Sequence, residues 1–142
     1  MTSERVKAFM RWTAQEGEPV KLDDIIDYDN GRLEVVPCEY LVLNEQEREE
    51  AIKESIKETL WAFNSSFLAW FTELPEEVFT ALQPMCEGAN DAVLAMVEKG
   101  GGLDLFVDKA TEADGYGHFL AGYDGEENKV QHKGAWWYIY RE

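Results

Sequence analysis

Residues 44–71 run NEQEREEAIKESIKETLWAFNSSFLAWF, and two patterns overlap in them. The apolar positions Ile52, Ile56, Leu60, Phe63, Phe67 and then Trp70 or Phe71 step by three and four, which lays one stripe along one side of an α-helix. Between them stand Glu45, Glu47, Glu49, Glu50, Glu54 and Glu58, with only Arg48, Lys53 and Lys57 to balance them. The spacing predicts one long helix that buries its stripe and shows carboxylates to water. Asn44 is a favoured N-cap, and Glu47 three residues later completes a capping box. Acids in the first turn also complement the helix dipole.

On the N-terminal side, Ser3 to about Gln15 reads as a capped short helix with Val6, Phe9, Met10 and Thr13 on one side. Val20–Tyr28 and Arg32–Val36 flank Tyr28-Asp29-Asn30-Gly31, and Asn-Gly predicts a type I′ hairpin. Pro37 interrupts, and Tyr40–Leu43 forms a further strand leading into the acidic helix. On the C-terminal side, Pro75 suits a first helical position, with Val78, Phe79 and Leu82 facing inward until Pro84. Asn90 to Glu98 (Val93, Leu94, Val97) and Leu103 to Ala113 (Leu103, Phe106, Val107, Ala110) are two more amphipathic helices, separated by three glycines. A glycine–aromatic loop follows. Lys129–His132 and Ala135–Tyr140 then make a hairpin through Lys133-Gly134. In its last strand Trp137 and Ile139 point one way and Trp136, Tyr138 and Tyr140 the other. The expected fold is a single α+β domain over residues 1–142. In it, a small antiparallel sheet of hairpins packs against one long acidic amphipathic helix and two or three shorter helices.

The chain carries 13 basic and 29 acidic residues, a net charge of −16. The excess is not a tail: residues 1–43 hold 5 basic and 9 acidic, 44–77 hold 3 and 9, and 78–142 hold 5 and 11. Direct nucleic-acid binding needs clustered Lys and Arg, so this distribution argues against it and for a basic protein partner. Cys38 and Cys86 show no CxxC spacing and make no zinc pattern with His118 and His132, so buried free thiols are expected. The charged Met1–Met10 segment is no signal peptide, and no apolar run approaches the ~20 residues of a membrane span. A soluble protein of the cytoplasm is expected.

Glu47, Glu50, Glu54 and Glu58 fall three or four apart, which stacks them along one edge of the helix. A solvated face explains them; so does imitation of nucleic-acid phosphates. The helix alone is sparse for imitation. Six negative and three positive charges over 14 residues give about one net charge per 7 Å, against one per ~1.7 Å of duplex DNA. A mimic must therefore recruit acids from other segments: Asp23, Asp24, Asp27, Asp29, Asp124, Glu126 and Glu127. Asp27–Gly31 fails as a calcium loop, because its glycine comes one position early and Cys38 stands where the bidentate Glu belongs. Asp124-Gly125-Glu126-Glu127 reads as a turn. His118, near Asp114 and Asp124 in sequence, is the one candidate acid/base group. No serine has a nucleophile-elbow context, and no glycine loop has the residues that cradle phosphate. The aromatic run Trp61, Phe63, Phe67, Trp70 and Phe71 reads as core, with a partner-binding surface as the alternative.

Several phrases of the chain resemble a known set. Glu39-Tyr-Leu-Val-Leu43, Thr59-Leu-Trp-Ala-Phe-Asn64, Cys86-Glu-Gly-Ala-Asn-Asp91, Gly117-His-Phe-Leu-Ala-Gly-Tyr-Asp-Gly-Glu-Glu127 and Trp137-Tyr-Ile-Tyr-Arg141 look like small acidic, mostly uncharacterised proteins of bacteriophages and mobile elements. The resemblance spans about residues 39–141 and carries no catalytic residues, cofactor or metal. It implies a non-catalytic inhibitor of a host defence or nucleic-acid-processing protein, of the anti-restriction or anti-CRISPR kind. The acidic surface would occupy a basic groove on that partner. The expected partner-binding set is Glu45, Glu47, Glu50, Glu54, Glu58, Asp27, Asp29, Asp124, Glu126 and Glu127. Two alternatives stand beside it: an acidic interaction or scaffold module, possibly homodimeric through the C-terminal strand, and a small hydrolase-like enzyme using His118.

Overall fold

Strands from both ends of the chain meet in one antiparallel sheet, which the computed structural model describes within residues Thr2–Glu142. The strands are β1 (Ile26–Asp27), β2 (Arg32–Val35), β3 (Cys38–Asn44), β4 (Asn128–His132) and β5 (Ala135–Arg141), in the order β1-β2-β3-β5-β4. With several helices beside this sheet, the class is α+β, as the sequence predicts. The register sets Val42 opposite Ile139 and Val130 opposite Trp137. The two-residue period then collects Leu33, Val42, Val130 and Ile139 on one face. Helix α1 (Glu4–Gln15) covers that face with Val6, Ala8 and Phe9. Its N-cap is Ser3, whose hydroxyl accepts from Val6 N at 3.2 Å. The cover of this face is therefore α1, not the acidic helix.

The two hairpins end differently. Between β4 and β5, Lys133 (φ 52°) and Gly134 (φ 78°) are both left-handed, the requirement of a type I′ turn. Between β1 and β2 the expected two-residue Asn30-Gly31 turn is replaced by a three-residue loop. Tyr28 N donates to Arg32 O (3.1 Å), and positive φ falls on Asp29 and Gly31 instead. Side-chain acceptors decide this: Asp27 takes Asp29 N (2.9 Å) and Asn30 takes Arg32 N (3.0 Å), so the loop is built from Asx turns. The first strand is also shorter than expected, because Leu22–Asp24 forms a 3₁₀ turn with no buried side chain to hold it extended. Val36 and Pro37, joined by a cis bond, connect β2 to β3.

The chain gathers into two compact units. The first holds the described residues up to Ala51 together with Tyr116–Glu142, and so contains the whole sheet, α1 and a short helix α7 (Tyr116–Leu120). Tyr116–Leu120, expected as part of a glycine–aromatic loop, is thus helical. The second unit, Ile52–Gly115, is helical, and the chain passes into it within helix α2 (Glu45–Glu58).

The long helix expected over residues 44–71 is two. Helix α2 stops at Glu58, a 3₁₀ turn covers Leu60–Ala62, and α3 runs Ser65–Thr72. Asn64 starts the new helix: its side-chain oxygen accepts from Ser66 N (2.8 Å) and Phe67 N (3.4 Å). Asn90 closes the old one, donating to Lys57 O (2.8 Å) while accepting from Trp61 N (3.1 Å). These two bonds satisfy backbone groups that a helix end leaves without partners. Then come α4 (Glu76–Leu82, with Pro75 as its N-cap rather than its first residue), α5 (Asn90–Gly100) and α6 (Leu103–Asp114). Phe79 alone of the expected α4 set is fully buried, and Leu94 of α5 is half-buried. All four expected α6 residues are buried. Phe106 sits at the centre, its ring 5.0 to 5.4 Å from those of Phe63, Phe67 and Phe71. Among the described residues, no helix is long and apolar enough to cross a membrane.

Candidate functional site

The capping box forms: Glu47 N donates to Asn44 Oδ1 (2.8 Å), and Asn44 N donates to Glu47 Oε1 (3.0 Å). Glu47 has a second tie. Arg5 of α1 grips both its oxygens, at 2.8 and 2.7 Å. That paired hydrogen bond holds the Glu47 carboxyl below the usual carboxylate range, against the opposing effect of burial. Glu47 is thus a structural carboxylate with its charge already matched.

Glu127 is another. It accepts from Arg48 Nη1 (3.1 Å) and from the Tyr140 hydroxyl (2.6 Å). The Arg48 guanidinium lies between the rings of Tyr116 and Tyr138, 3.9 Å from each centroid. A planar cation stacks on aromatic faces in a way an ammonium does not. Burial, then the bond to Glu127, pushes the Tyr140 phenol up, so it acts as a donor. Gly117 lets α7 close over this stack. A Cβ there would collide with the Gly125 carbonyl and come within 2.8 Å of Glu127 N. The aromatic face opposite α1 is therefore filled by an arginine and two tyrosines. Trp136, at its edge, stays 42% exposed beside Lys129.

The remaining acids are solvent-facing. Glu45, Glu50, Glu54 and Glu58 are exposed, and none forms an ion pair among the described residues. Glu50 accepts one weak bond from Gln46 (3.3 Å). Of the two lysines beside them in sequence, Lys53 is engaged with Asp104 at 2.8 Å, and Lys57 is exposed and forms no ion pair with them among the described residues. Asp27 and Asp29 are exposed at the β1 edge, and Asp124 and Glu126 in the segment that enters β4. Those strands lie at opposite edges of the sheet. Four interstrand steps separate them, about 19 Å. The first unit thus holds two acidic loops apart instead of merging them.

His118 is exposed on α7 with its ring edge-on to Phe119 (4.9 Å between centroids), and no hydrogen bond joins it to Asp124 among the described residues. No cluster of His, Cys, Asp or Glu among those residues could hold a metal ion. Asp27–Gly31 and Asp124–Glu127 are turns, as read. Both thiols are free, but Cys86 is exposed rather than buried, at a positive-φ position in the Gln83–Ala89 connection.

Two polar clusters have no signal in the sequence, because their members lie more than a hundred residues apart. Glu4 binds His132 Nε2 (2.7 Å) and Lys133 Nζ (3.0 Å). Arg141 Nη2 donates to the half-buried Cys38 sulfur at 2.9 Å. An α+β protein with an acidic, unpaired helix edge is what the fold and surface define. Compared with known proteins, the chain matches no protein-family model, no curated protein and no solved structure.

Proposed function

We propose that this is a stoichiometric binding protein that inhibits a host defence or nucleic-acid-processing protein. Its acidic surface occupies a basic groove meant for nucleic acid. The supporting observation is the division among the acids. Glu47 and Glu127 are matched by arginines, whereas Glu45, Glu50, Glu54 and Glu58 stand exposed with no cation partner. On one helix, residues four apart rise about 6 Å. Single-strand phosphates rise ~3.4 Å, so the edge offers roughly one charge for every two phosphates. It docks as a short complement to a basic groove, with fast, salt-sensitive association. The acids at the two sheet edges are secondary contacts, each too far from the other to extend a single strip.

The test is capture of partners from a host lysate at low and high salt, with wild type and a Glu50→Lys, Glu54→Lys, Glu58→Lys variant whose helicity is checked by circular dichroism. Wild type should retain a DNA- or RNA-binding protein that salt releases and the variant does not. Equal retention by the variant removes this edge from the interface. A homodimer through β5 would have to use its exposed Trp136 side, since β3 and β4 take both of its backbone edges.

A further inference from the structure

On the second unit, Trp70 is 61% exposed, an unusual position for so large a ring, and grooves lie on both sides of it. The first, about 350 Å³, is walled by Phe63, Phe67 and Trp70 of the α3 region and by Ala113 and Asp114 of α6. Ring centroids are 6.1 Å apart for Phe63–Phe67 and 5.7 Å for Phe67–Trp70, so the wall is a continuous aromatic surface. Three features give this groove a preference for positive charge. Aromatic faces attract cations. The C-terminus of α6 opens here with its negative dipole end, and no basic residue stands in its last turn. Asp114 adds a full negative charge. The N-terminus of α3 would oppose this, but its positive end is already taken. Asn64 accepts from its first amides, and Ser65 donates to Glu76 at 2.9 Å.

We infer that this groove seats an arginine side chain presented by an extended segment of a basic partner protein. Arginine fits better than lysine because a guanidinium stacks flat on such rings while pairing with a carboxylate. A protein segment fits better than free arginine because the second groove, about 380 Å³ and edged by Glu73 and Lys109, continues past Trp70 over Phe71 to Leu105, itself 45% exposed. A chain crossing Trp70 sets its arginine in one groove and an apolar side chain in the other. This surface is separate from the acidic edge of α2, and neither depends on the other.

The experiment is an NMR titration of the ¹⁵N-labelled full chain with a blocked Gly-Arg-Gly-Leu-Gly peptide and its norleucine-for-arginine counterpart. The arginine peptide should shift the Trp70 indole N–H and the amides of Ser66, Phe67, Ala113 and Asp114. Trp70→Ala and Asp114→Asn, both at exposed positions, should each weaken binding about five- to tenfold. The spectra report their folding directly. The Glu50→Lys, Glu54→Lys, Glu58→Lys variant should bind the peptide as wild type does, so failure here and failure of the α2 interface are told apart. Equal binding of the norleucine peptide, no effect of Trp70→Ala, or shifts scattered over the acidic surface would each overturn the assignment.

Discussion

Glu4 stands in the first turn of α1 with two ammonium groups and an imidazole ring around it: Lys133 at 3.0 Å, Lys7 at 3.5 Å and His132 at 2.7 Å. The hydrogen bond from Lys133, then that from His132, holds its carboxyl down to about 2, against an ordinary value of 4.5. It ties the start of α1 to the β4–β5 turn, in a place where α1 supplies the sheet's apolar cover. The sign of the pH dependence follows from linkage. A carboxyl depressed by folding binds fewer protons in the native state, so its contribution is complete above the unfolded value and fades as pH falls toward the folded one. Glu4→Gln should therefore lower the urea midpoint at neutral pH. The gap to wild type should narrow below about pH 4.5 and close near pH 2. Glu47, also depressed by its arginine, keeps an acid-labile limb in the variant, so the Glu4 effect is read from the difference between the two curves. A gap that stays constant down to pH 2 would show that the Glu4 contacts carry no charge-dependent stability.

The break between α2 and α3 shows which features of an element are local. The apolar stripe of residues 52–71 continues across the break, because Leu60, fully buried, keeps the period that a single helix would have kept. Asn64-Ser65-Ser66 has the composition of an N-cap, and the unbroken stripe across it hides the break. Asn90 is not legible: it reaches Lys57 and Trp61 from 29 to 33 residues away. Asn90→Ala removes both bonds and leaves a part-buried N–H and a helix-end carbonyl with water as their remaining partner. A loss of about 1–3 kcal/mol is expected by urea titration, and a loss under ~0.5 kcal/mol, the scale of an ordinary surface change, would mean that the break holds without it. The same distinction divides the candidate site. Exposure of Glu50, Glu54 and Glu58 follows from helical period, which any window of the chain contains, whereas Glu45, seven residues before the buried Ile52, is exposed as the first residue of the helix. The neutralisation of Glu47 and Glu127 does not, since Arg5 is 42 residues from one and Arg48 is 79 from the other. That α1 rather than α2 covers the face of Leu33, Val42 and Ile139 is also tertiary: both helices carry an apolar stripe, and only packing selects between them.

Across the whole molecule the charge is divided evenly. Residues 52–115 hold 4 basic and 12 acidic side chains, the rest 9 and 17, so each compact unit carries −8. Two opposing electrostatic terms act on stability. Several ion pairs are exposed, such as Lys7–Glu4 and Lys53–Asp104, and each such pair contributes ~0–1 kcal/mol that salt weakens. Against them stands repulsion among the excess carboxylates, which is long-range. At 0.01 M salt the screening length is about 30 Å, and at 0.15 M about 8 Å. The first spans an entire unit; the second reaches only neighbouring side chains. Added salt thus removes most of the repulsion but only part of the attraction within a close pair, and repulsion decides the sign. The melting temperature should rise as sodium chloride goes from ~0.01 to ~0.15 M, measured by circular dichroism at neutral pH. In the same buffers, association with a basic partner should weaken, because there the close charges are attractive. A melting temperature that falls over this range would place the ion pairs above the surface repulsion, and the unpaired carboxylates of α2 would then impose no strain for a partner to relieve.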